Sequence, residues 1–268
     1  MDPDAPLPSL ETTKNVLDGG HLWIQEWVTG PVLTVEMADS GMLSFDRVGD
    51  DTVDVPSLSE GKRHVRETVD REAYRRSVED VDRLVLYGVG TRYEGVSYDW
   101  DALPPFLGVA VWDEGADRFA PPDVVDRFLE TIGLASLPDV ERERPADRFD
   151  RARFEPPSSA FRSGPVAGVV VRNKRGPMAL LETDVPRASP AEDVDAALDA
   201  AIDRVVDRLV ADGDQVPSSV APETLTDRVF ERVARVAHRD VADRLRRDPD
   251  GVRSRVARAL REREDPSR

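Results

Sequence analysis

The feature that most limits what this chain can fold into is a change of sequence pattern near residue 189. Before it, short apolar runs rich in β-branched residues are separated by glycine and proline turns, which is typical of strands. After it, apolar residues recur at spacings of three and four, which is typical of amphipathic helices. This order predicts an α+β fold, with a strand-rich domain over 1–188 and a helical domain over 189–268.

The strand-rich part contains several predicted strands, two predicted helices and a predicted hairpin. Strands are expected at about 21–28, 31–37, 81–90 and 106–113, with a short strand ending at Phe45. Apolar residues at helical spacing predict helices over 62–79 and 121–134, the second ending at Gly133. The other two predicted segments are a hairpin over 166–183 and an irregular leader over 1–20.

The C-terminal region is predicted to be entirely helical. The sequence Ser189-Pro190-Ala191-Glu192 has the form of a capping box, which predicts that a helix starts there and continues to Gly213. Further helices are expected near 221–239, 240–247 and 251–263.

The balance of charges indicates a protein adapted to high salt. The chain has 53 acidic and 37 basic residues, a formal net charge of -16, and only three lysines, which are Lys14, Lys62 and Lys174. Salt screens the self-repulsion that such a charge causes, so we expect a halophilic source. Because such acidity can be an adaptation of the whole host, it does not exclude nucleic acid as a partner.

The composition also disfavours several kinds of site. The chain has no cysteine, so it has no disulfide, no thiolate metal ligand and no thiol nucleophile. Its histidines, His21, His64 and His238, show no metal-ligand spacing, so we expect no metal site. No apolar run reaches the ~18–20 residues that span a bilayer, and the acidic, proline-rich start is unlike a secretory signal. We therefore expect a cytoplasmic protein without a membrane partner.

Five blocks of the first 188 residues occur in an order that indicates a family. They are GHLWIQEWVTGPVLTVEMADSGMLSFDRVGD at 20–50, LVLYGVGTRYEGVSYDWDALPPFLGVAVWD at 84–113, FAPPDVVDRFLETIGLASLPDVERE at 119–143, VAGVVVRNK at 166–174 and GPMALLET at 176–183. Together they resemble the RNA ligase branch of the covalent nucleotidyltransferase superfamily. The resemblance implies a ligase-like nucleotidyltransferase fold of antiparallel sheets with flanking helices, followed by a helical C-terminal region.

The resemblance also implies a reaction and the residues that it needs. In the family, a lysine attacks the α-phosphate of ATP and forms lysyl-AMP; AMP then passes to a 5′-phosphate, and a 3′-hydroxyl displaces it. The lysine is a nucleophile of lowered pKa, carboxylates hold a divalent metal, and further lysines stabilise charge on the phosphates. The motifs that carry these residues are Glu-Lys-x-Asp-Gly, Ser-Arg, Gly-Glu, Phe-x-x-x-Asp, Glu-Gly-Val-Val-Val-Arg and Ala-Lys-x-Lys.

At these motif positions the sequence keeps residues that serve the fold and lacks residues that serve the chemistry. Gly30, Arg47, Gly88 and Gly168 match the family. The nucleophile position holds Trp27, whose indole has no lone pair available to attack phosphorus. The other chemical positions hold Thr29, Asp46, Val89, Ala110, Ala167, Leu180 and Glu182. The sequence therefore predicts a ligase-like pseudoenzyme without catalytic residues.

Four side chains remain candidates for binding a nucleotide, each with a plainer alternative. Trp27 either stacks on a base, plugs the adenylate site or is an ordinary strand hydrophobe. Arg47 and Arg172 either face phosphate or ribose or form salt bridges. Lys174 is either a displaced nucleophile or part of a solvated turn.

An arginine-rich segment near the C-terminus is the candidate surface for nucleic acid. Eight arginines lie within 244–263, opposed by Asp248, Asp250 and Glu262. The proposed contact residues are Arg244, Arg247, Arg255 and Arg258. They either contact phosphates or form a charged helix face that packs against acidic parts of the chain.

Three functions are consistent with the sequence. The first is a pseudoenzyme that binds a nucleotide, or RNA or DNA ends, without turnover, or that supports a protein partner such as an active ligase. The second is an active ATP-dependent RNA ligase or nucleotidyltransferase whose nucleophile has moved to Lys174 or Lys14. The third is a structural protein with a filled pocket. No cofactor is expected, except ATP or AMP with Mg²⁺ if family activity persists.

Overall fold

Antiparallel strands make up much of the first part of the chain in the computed structural model, which describes residues 7–49, 55–211 and 221–264. The strands are β1 (His21–Glu26), β2 (Val32–Met37), β3 (Leu43–Arg47), β4 (Leu84–Gly90), β5 (Phe106–Asp113), β6 (Arg118–Phe119), β7 (Asp139–Pro145), β8 (Gly168–Asn173) and β9 (Met178–Glu182). They form a four-stranded sheet in the order β7-β1-β8-β9 and a five-stranded sheet in the order β3-β2-β4-β5-β6.

Helices flank the strands in sequence and make up most of the C-terminal region. They are α1 (Pro56–Thr68), α2 (Arg71–Ser77), α3 (Pro122–Ile132), α4 (Val194–Ala211), α5 (Pro222–Val236), α6 (His238–Arg247) and α7 (Pro249–Glu264). Among the residues that the structure describes, no helix has the length and apolar composition needed to cross a bilayer.

The described residues divide into two units. The strand-rich unit comprises 7–49, 61–91 and 96–186 and contains both sheets with α2 and α3. The helical unit comprises 55–60, 92–95, 187–211 and 221–264 and contains α4 to α7. Its apolar core includes Leu198, Ile202, Val206, Val229, Phe230, Val233, Val241, Val252 and Val256.

Two apolar clusters of the strand-rich unit include residues of the four-stranded sheet. The first, which we call the central cluster, includes buried Trp27, Val89, Tyr98, Ala110, Ala167 and Val170, with Leu7, Phe161 and Leu180 packed against it. The second includes Leu10, Val16, Leu22, Ile24, Val169 and Val171. Because neighbouring residues of β8 belong to different clusters, both faces of the four-stranded sheet are covered.

The predicted α+β class with antiparallel sheets and a helical C-terminal region is confirmed. The predicted hairpin is present as β8 and β9. The helix predicted over 121–134 is present as α3, which ends at Gly133 in the left-handed conformation, with φ 84. That conformation favours glycine, so the stop signal in the sequence has a clear physical cause.

The single helix predicted over 62–79 is wrong, because two helices occupy this region. The first ends at Thr68 and the second begins at Arg71. Between them, Asp70 has an extended backbone, and its carboxylate accepts a hydrogen bond from the Ala73 N–H at 2.9 Å. Asp70 therefore acts as an N-cap that starts a new helix.

The predicted helix start at Ser189 is also wrong, because α4 begins at Val194. The carboxylate of Asp193 accepts a hydrogen bond from the Ala196 N–H at 2.9 Å, so Asp193 caps the helix. The predicted end at Gly213 lies outside the described residues. The three regions predicted as further helices are occupied by α5, α6 and α7.

The leader predicted to be irregular over 1–20 is largely irregular in its described part, which begins at Leu7, apart from one short helix. Residues Lys14–Leu17 form a short 3-10 helix. The Leu10 N–H donates to the Leu180 carbonyl at 2.8 Å, and the Leu180 N–H donates to the Pro8 carbonyl at 2.9 Å. This segment therefore lies along the outer edge of β9 and covers its backbone groups.

Candidate functional site

Trp27 lies directly after β1, at the position that the resemblance assigns to the nucleophile. Its backbone N–H donates to the Gly168 carbonyl at 2.9 Å, which continues the pairing of β1 with β8 by one residue. Only 9% of Trp27 is exposed, and the residue belongs to the central cluster. Trp27 is therefore part of the interior of the strand-rich unit.

Four more of the replaced positions lie in the same interior. Val89, Ala110 and Ala167 are buried members of the central cluster, and Leu180 packs against it. They come from β4, from β5, from the residue before β8, and from β9. The structure thus brings five replaced positions together in one apolar environment.

The remaining replaced positions lie around this interior. Thr29 is buried, and its backbone N–H donates to the Tyr98 hydroxyl oxygen at 3.2 Å. Glu182 is exposed at the end of β9, opposite Gly168. Asp46 is exposed on β3, opposite Thr34.

The side chains of the central cluster do not fit ATP chemistry or a metal ion. Those at the five replaced positions supply no carboxylate to hold a divalent cation and no amine to attack a phosphate. Elsewhere in the described ranges, no group of three or more histidine, aspartate or glutamate side chains is arranged to hold a metal ion. No step of the family reaction can be assigned to these side chains.

Arg172 lies close to the central cluster, but its guanidinium is bonded to neighbouring strands. It is fully buried in β8, where it donates to the Gln25 side-chain oxygen at 3.2 Å and to the Val109 carbonyl at 2.7 Å. Burial lowers the pKa of Arg172 to about 10, while Asp126 and Asp139 oppose that shift. The guanidinium is therefore still charged at neutral pH, and it links β1 and β8 to β5.

Arg47 is not brought to Trp27. Arg47 pairs with Leu33, whereas Val89 of the central cluster pairs with Val32. Because adjacent residues of a strand point to opposite faces of the sheet, Arg47 and Val89 lie on opposite faces. The position of Arg47 therefore does not support a contact with a nucleotide, and that contact stays a prediction.

Lys174 lies at the other end of β8 from Trp27. Trp27 bonds to Gly168, and the six positions from Gly168 to Lys174 correspond to about 20 Å along a strand. The Lys174 ammonium forms an ion pair with Glu143 at 2.5 Å. This pair and the hydrogen bond from the Trp23 indole lower the pKa of Glu143. Lys174 is thus partnered, and it is distant from the central cluster.

The arginine-rich segment lies on α6 and α7, and acidic side chains oppose its charges. Arg255 pairs with Asp195 at 2.8 Å and with Asp199 at 3.3 Å. Arg263 pairs with Asp207 at 2.7 Å. Arg263 also approaches Asp203 at 3.6 Å. Asp195, Asp199, Asp203 and Asp207 are each four residues apart along α4, which places them on one side of the helix.

The other nucleic-acid candidates lie within α6 and α7 as well. Arg244 pairs with Asp248 at 3.0 Å, Arg258 approaches Glu262 at 3.9 Å, and Arg247 is exposed near the end of α6. The local excess of positive charge is therefore reduced by ion pairs, which favours the packing interpretation over a phosphate-binding face.

Glu26 is the residue that the sequence interpretation missed. It is 2% exposed, yet it carries a carboxylate directly before Trp27. One carboxylate oxygen accepts a hydrogen bond from the Ser159 hydroxyl, and the other accepts one from the Ala160 N–H at 2.8 Å. The available signal was a charged residue inside an apolar strand, since buried carboxylates need hydrogen-bond partners.

Comparison with known proteins yields matches among solved structures. No protein-family model matches the chain, and no curated protein matches it. An archaeal ATP-dependent RNA ligase, in the structure called form 2, is 15% identical, with 96% of this chain and 64% of the ligase covered and a TM-score of 0.45. Form 1 of the archaeal ligase is 14% identical over the same shares, with a TM-score of 0.47.

An RNA ligase of Naegleria gruberi is also similar in structure. The ligase solved with pyrophosphate is 11% identical, with 69% of this chain and 57% of the ligase covered and a TM-score of 0.49. This chain therefore spans 64% of the length of the archaeal ligase and 57% of that of the Naegleria ligase.

Proposed function

We propose that this chain is a non-catalytic RNA ligase-like protein whose nucleotide pocket is filled by its own side chains. The observation that carries the proposal is the burial of Trp27, which is 9% exposed, at the position that the resemblance assigns to the catalytic lysine. Indole cannot form the bond to phosphorus that an amine forms. An adenylate at this position would have to displace Trp27 from the central cluster.

The neighbouring residues support the same proposal. Val89, Ala110 and Ala167 stand where the resemblance expects carboxylates, and all three are buried. A carboxylate there would be costly without a metal or a hydrogen-bond partner. Apolar residues at these positions stabilise the interior instead, as expected once the metal is no longer needed.

The role that we propose is binding without turnover. The bound molecule is either an RNA or DNA end or a protein partner such as an active ligase. Ion pairs at Arg244 and Arg255 reduce the positive charge available for phosphates. This favours the protein partner over nucleic acid, because nucleic-acid binding depends on unpaired cationic side chains near the backbone.

The alternative function is an active ligase with a relocated nucleophile. Its best candidate, Lys174, lies about 20 Å along β8 from the Trp27 position and is paired with Glu143. A nucleophile there would need a separate nucleotide site, so the geometry favours the non-catalytic function.

Incubation with ATP labelled at the α-phosphate, in the presence of Mg²⁺ or Mn²⁺, tests the proposal. We expect denatured, washed protein to carry no label. Label that survives denaturation would overturn the proposal, and its loss in a Lys174→Ala variant would establish the relocated nucleophile. An active RNA ligase treated in parallel serves as the positive control.

A further inference from the structure

A compact loop over residues 158–164 lies against the central cluster. Its neck is closed by an antiparallel bridge between Ser158 and Pro165. Inside the loop, the Ser159 N–H donates to the Gly164 carbonyl at 2.9 Å. Phe161, near the tip, packs against the central cluster. The loop is therefore a closed structural unit that places one aromatic side chain on the interior that contains Trp27.

Glu26 attaches this loop to the end of β1. Its two carboxylate oxygens accept hydrogen bonds from the Ser159 hydroxyl and the Ala160 N–H. The Ser159 hydroxyl oxygen also accepts the Phe161 N–H at 3.0 Å, which fixes the tip of the loop. Release of the loop would take both donors from a buried carboxylate, which is unfavourable.

A second attachment lies on the other side of Trp27. The Phe161 carbonyl accepts a hydrogen bond from the Asp99 N–H at 2.6 Å. The residue before Asp99 is Tyr98, whose hydroxyl oxygen accepts the Thr29 N–H at 3.2 Å. The loop is thus connected to the chain both before and after Trp27.

One feature of the loop opposes permanent closure. The Arg162 Nη1 donates to the Pro165 carbonyl at 2.5 Å, but the Nε of the same side chain is buried with no acceptor among the described residues. A buried donor without a partner destabilises the state that buries it. This donor therefore offsets part of the stabilisation that the Glu26 contacts give to the closed loop.

We propose that the 158–164 loop is a lid over Trp27 and that Glu26 is the positioning residue that holds the lid closed. Release of the Glu26 contacts opens this side of the central cluster. Access to the interior around Trp27 then depends on the lid as well as on Trp27. The hydrogen bonds of the lid do not depend on the proposed function. Its role in limiting access to the interior around Trp27 does rest on the proposed function.

Hydrogen exchange of the full chain, followed by mass spectrometry of peptides covering 158–164, tests this proposal. In Glu26→Gln and in Ser159→Ala, we expect exchange in these peptides to be about tenfold faster than in the wild type. Peptides covering β8 should be unchanged. Glu143→Gln is the matched control, because Glu143 contacts Trp23 and Lys174 at the opposite end of β1, and it should leave loop exchange unchanged.

Two results would overturn the lid. One is loop exchange that is the same in both variants as in the wild type. The other is faster exchange throughout the strand-rich unit, which would mean that Glu26 supports the whole fold. If Glu26→Gln fails to fold, Ser159→Ala decides, because Ser159 is only partly buried and loses a single hydroxyl. Covalent labelling by ATP would overturn the proposed function, and it would leave the exchange result intact.

Discussion

The Trp27 amide nitrogen and the Gly168 carbonyl oxygen are 2.9 Å apart, and their hydrogen bond joins the end of β1 to the start of β8. The bond places Trp27 opposite Gly168, the first residue of β8, and Ala167 directly precedes Gly168. Trp27 and Ala167 are both buried in the central cluster. Two positions at which the resemblance expects a lysine and a glutamate therefore belong to one apolar interior.

Removing the indole should destabilise the protein strongly. We expect Trp27→Ala to lower the free energy of unfolding by about 3–5 kcal/mol, because it leaves a cavity in the central cluster. Urea denaturation measures this change. Trp100→Ala is the matched control, since Trp100 is only partly buried against the same cluster, and it should cost less. A smaller loss for Trp27 than for Trp100 would contradict the burial of Trp27.

Restoring the lysine alone should not restore the chemistry. We expect Trp27→Lys to form no covalent adduct with AMP when it is incubated with ATP and Mg²⁺. The neighbouring Val89 and Ala167 supply no carboxylate for a metal, and burial would also lower the pKa of the new amine and destabilise the fold. An adduct in this single variant would show that the rest of the site is still competent.

Replacing the buried Arg172 with lysine should destabilise the protein, although lysine keeps the positive charge. We expect Arg172→Lys to cost about 1–3 kcal/mol, because a shorter ammonium cannot keep both the Gln25 and the Val109 contacts. Thermal or urea denaturation measures the loss. Arg175→Lys, at an exposed turn residue, is the control and should change stability little. Equal effects in the two variants would contradict the bridging role of Arg172.

The acidic composition should make stability depend on salt. With a net charge of -16, we expect the free energy of unfolding to rise as KCl is increased from about 0.1 M to about 2 M, because salt screens self-repulsion. The ion pairs of Arg255 and Arg263 with the aspartates of α4 oppose this trend only weakly, at under about 1 kcal/mol each. Stability that falls steadily with salt would contradict the halophilic prediction.

The elements that the sequence predicts well are those in which local pattern and tertiary packing agree. The strands β4 and β5 and the helix α3 have apolar residues where the core needs them, together with clear stop signals. The strand β7 was not predicted, because its sequence, DVERERP, is mostly charged. It lies at the edge of the four-stranded sheet, where charged side chains can face solvent.

The site was predicted unevenly, also for physical reasons. The replaced positions lie on strands whose pairing follows from their apolar pattern, and so Trp27 and Ala167 meet as the resemblance implies. The face on which Arg47 lies depends on the register of β3 against β2, and the contacts of Glu26 depend on a loop more than 130 residues later in the chain. Neither is visible in local sequence.

Equilibrium binding of ATP tests the filled pocket most directly. Isothermal titration calorimetry of the full chain with ATP and Mg²⁺ is predicted to give no saturable heat, with tryptophan fluorescence unchanged over the same titration. One-site binding of ATP accompanied by a change in tryptophan fluorescence, and lost in Trp27→Ala, would contradict the account.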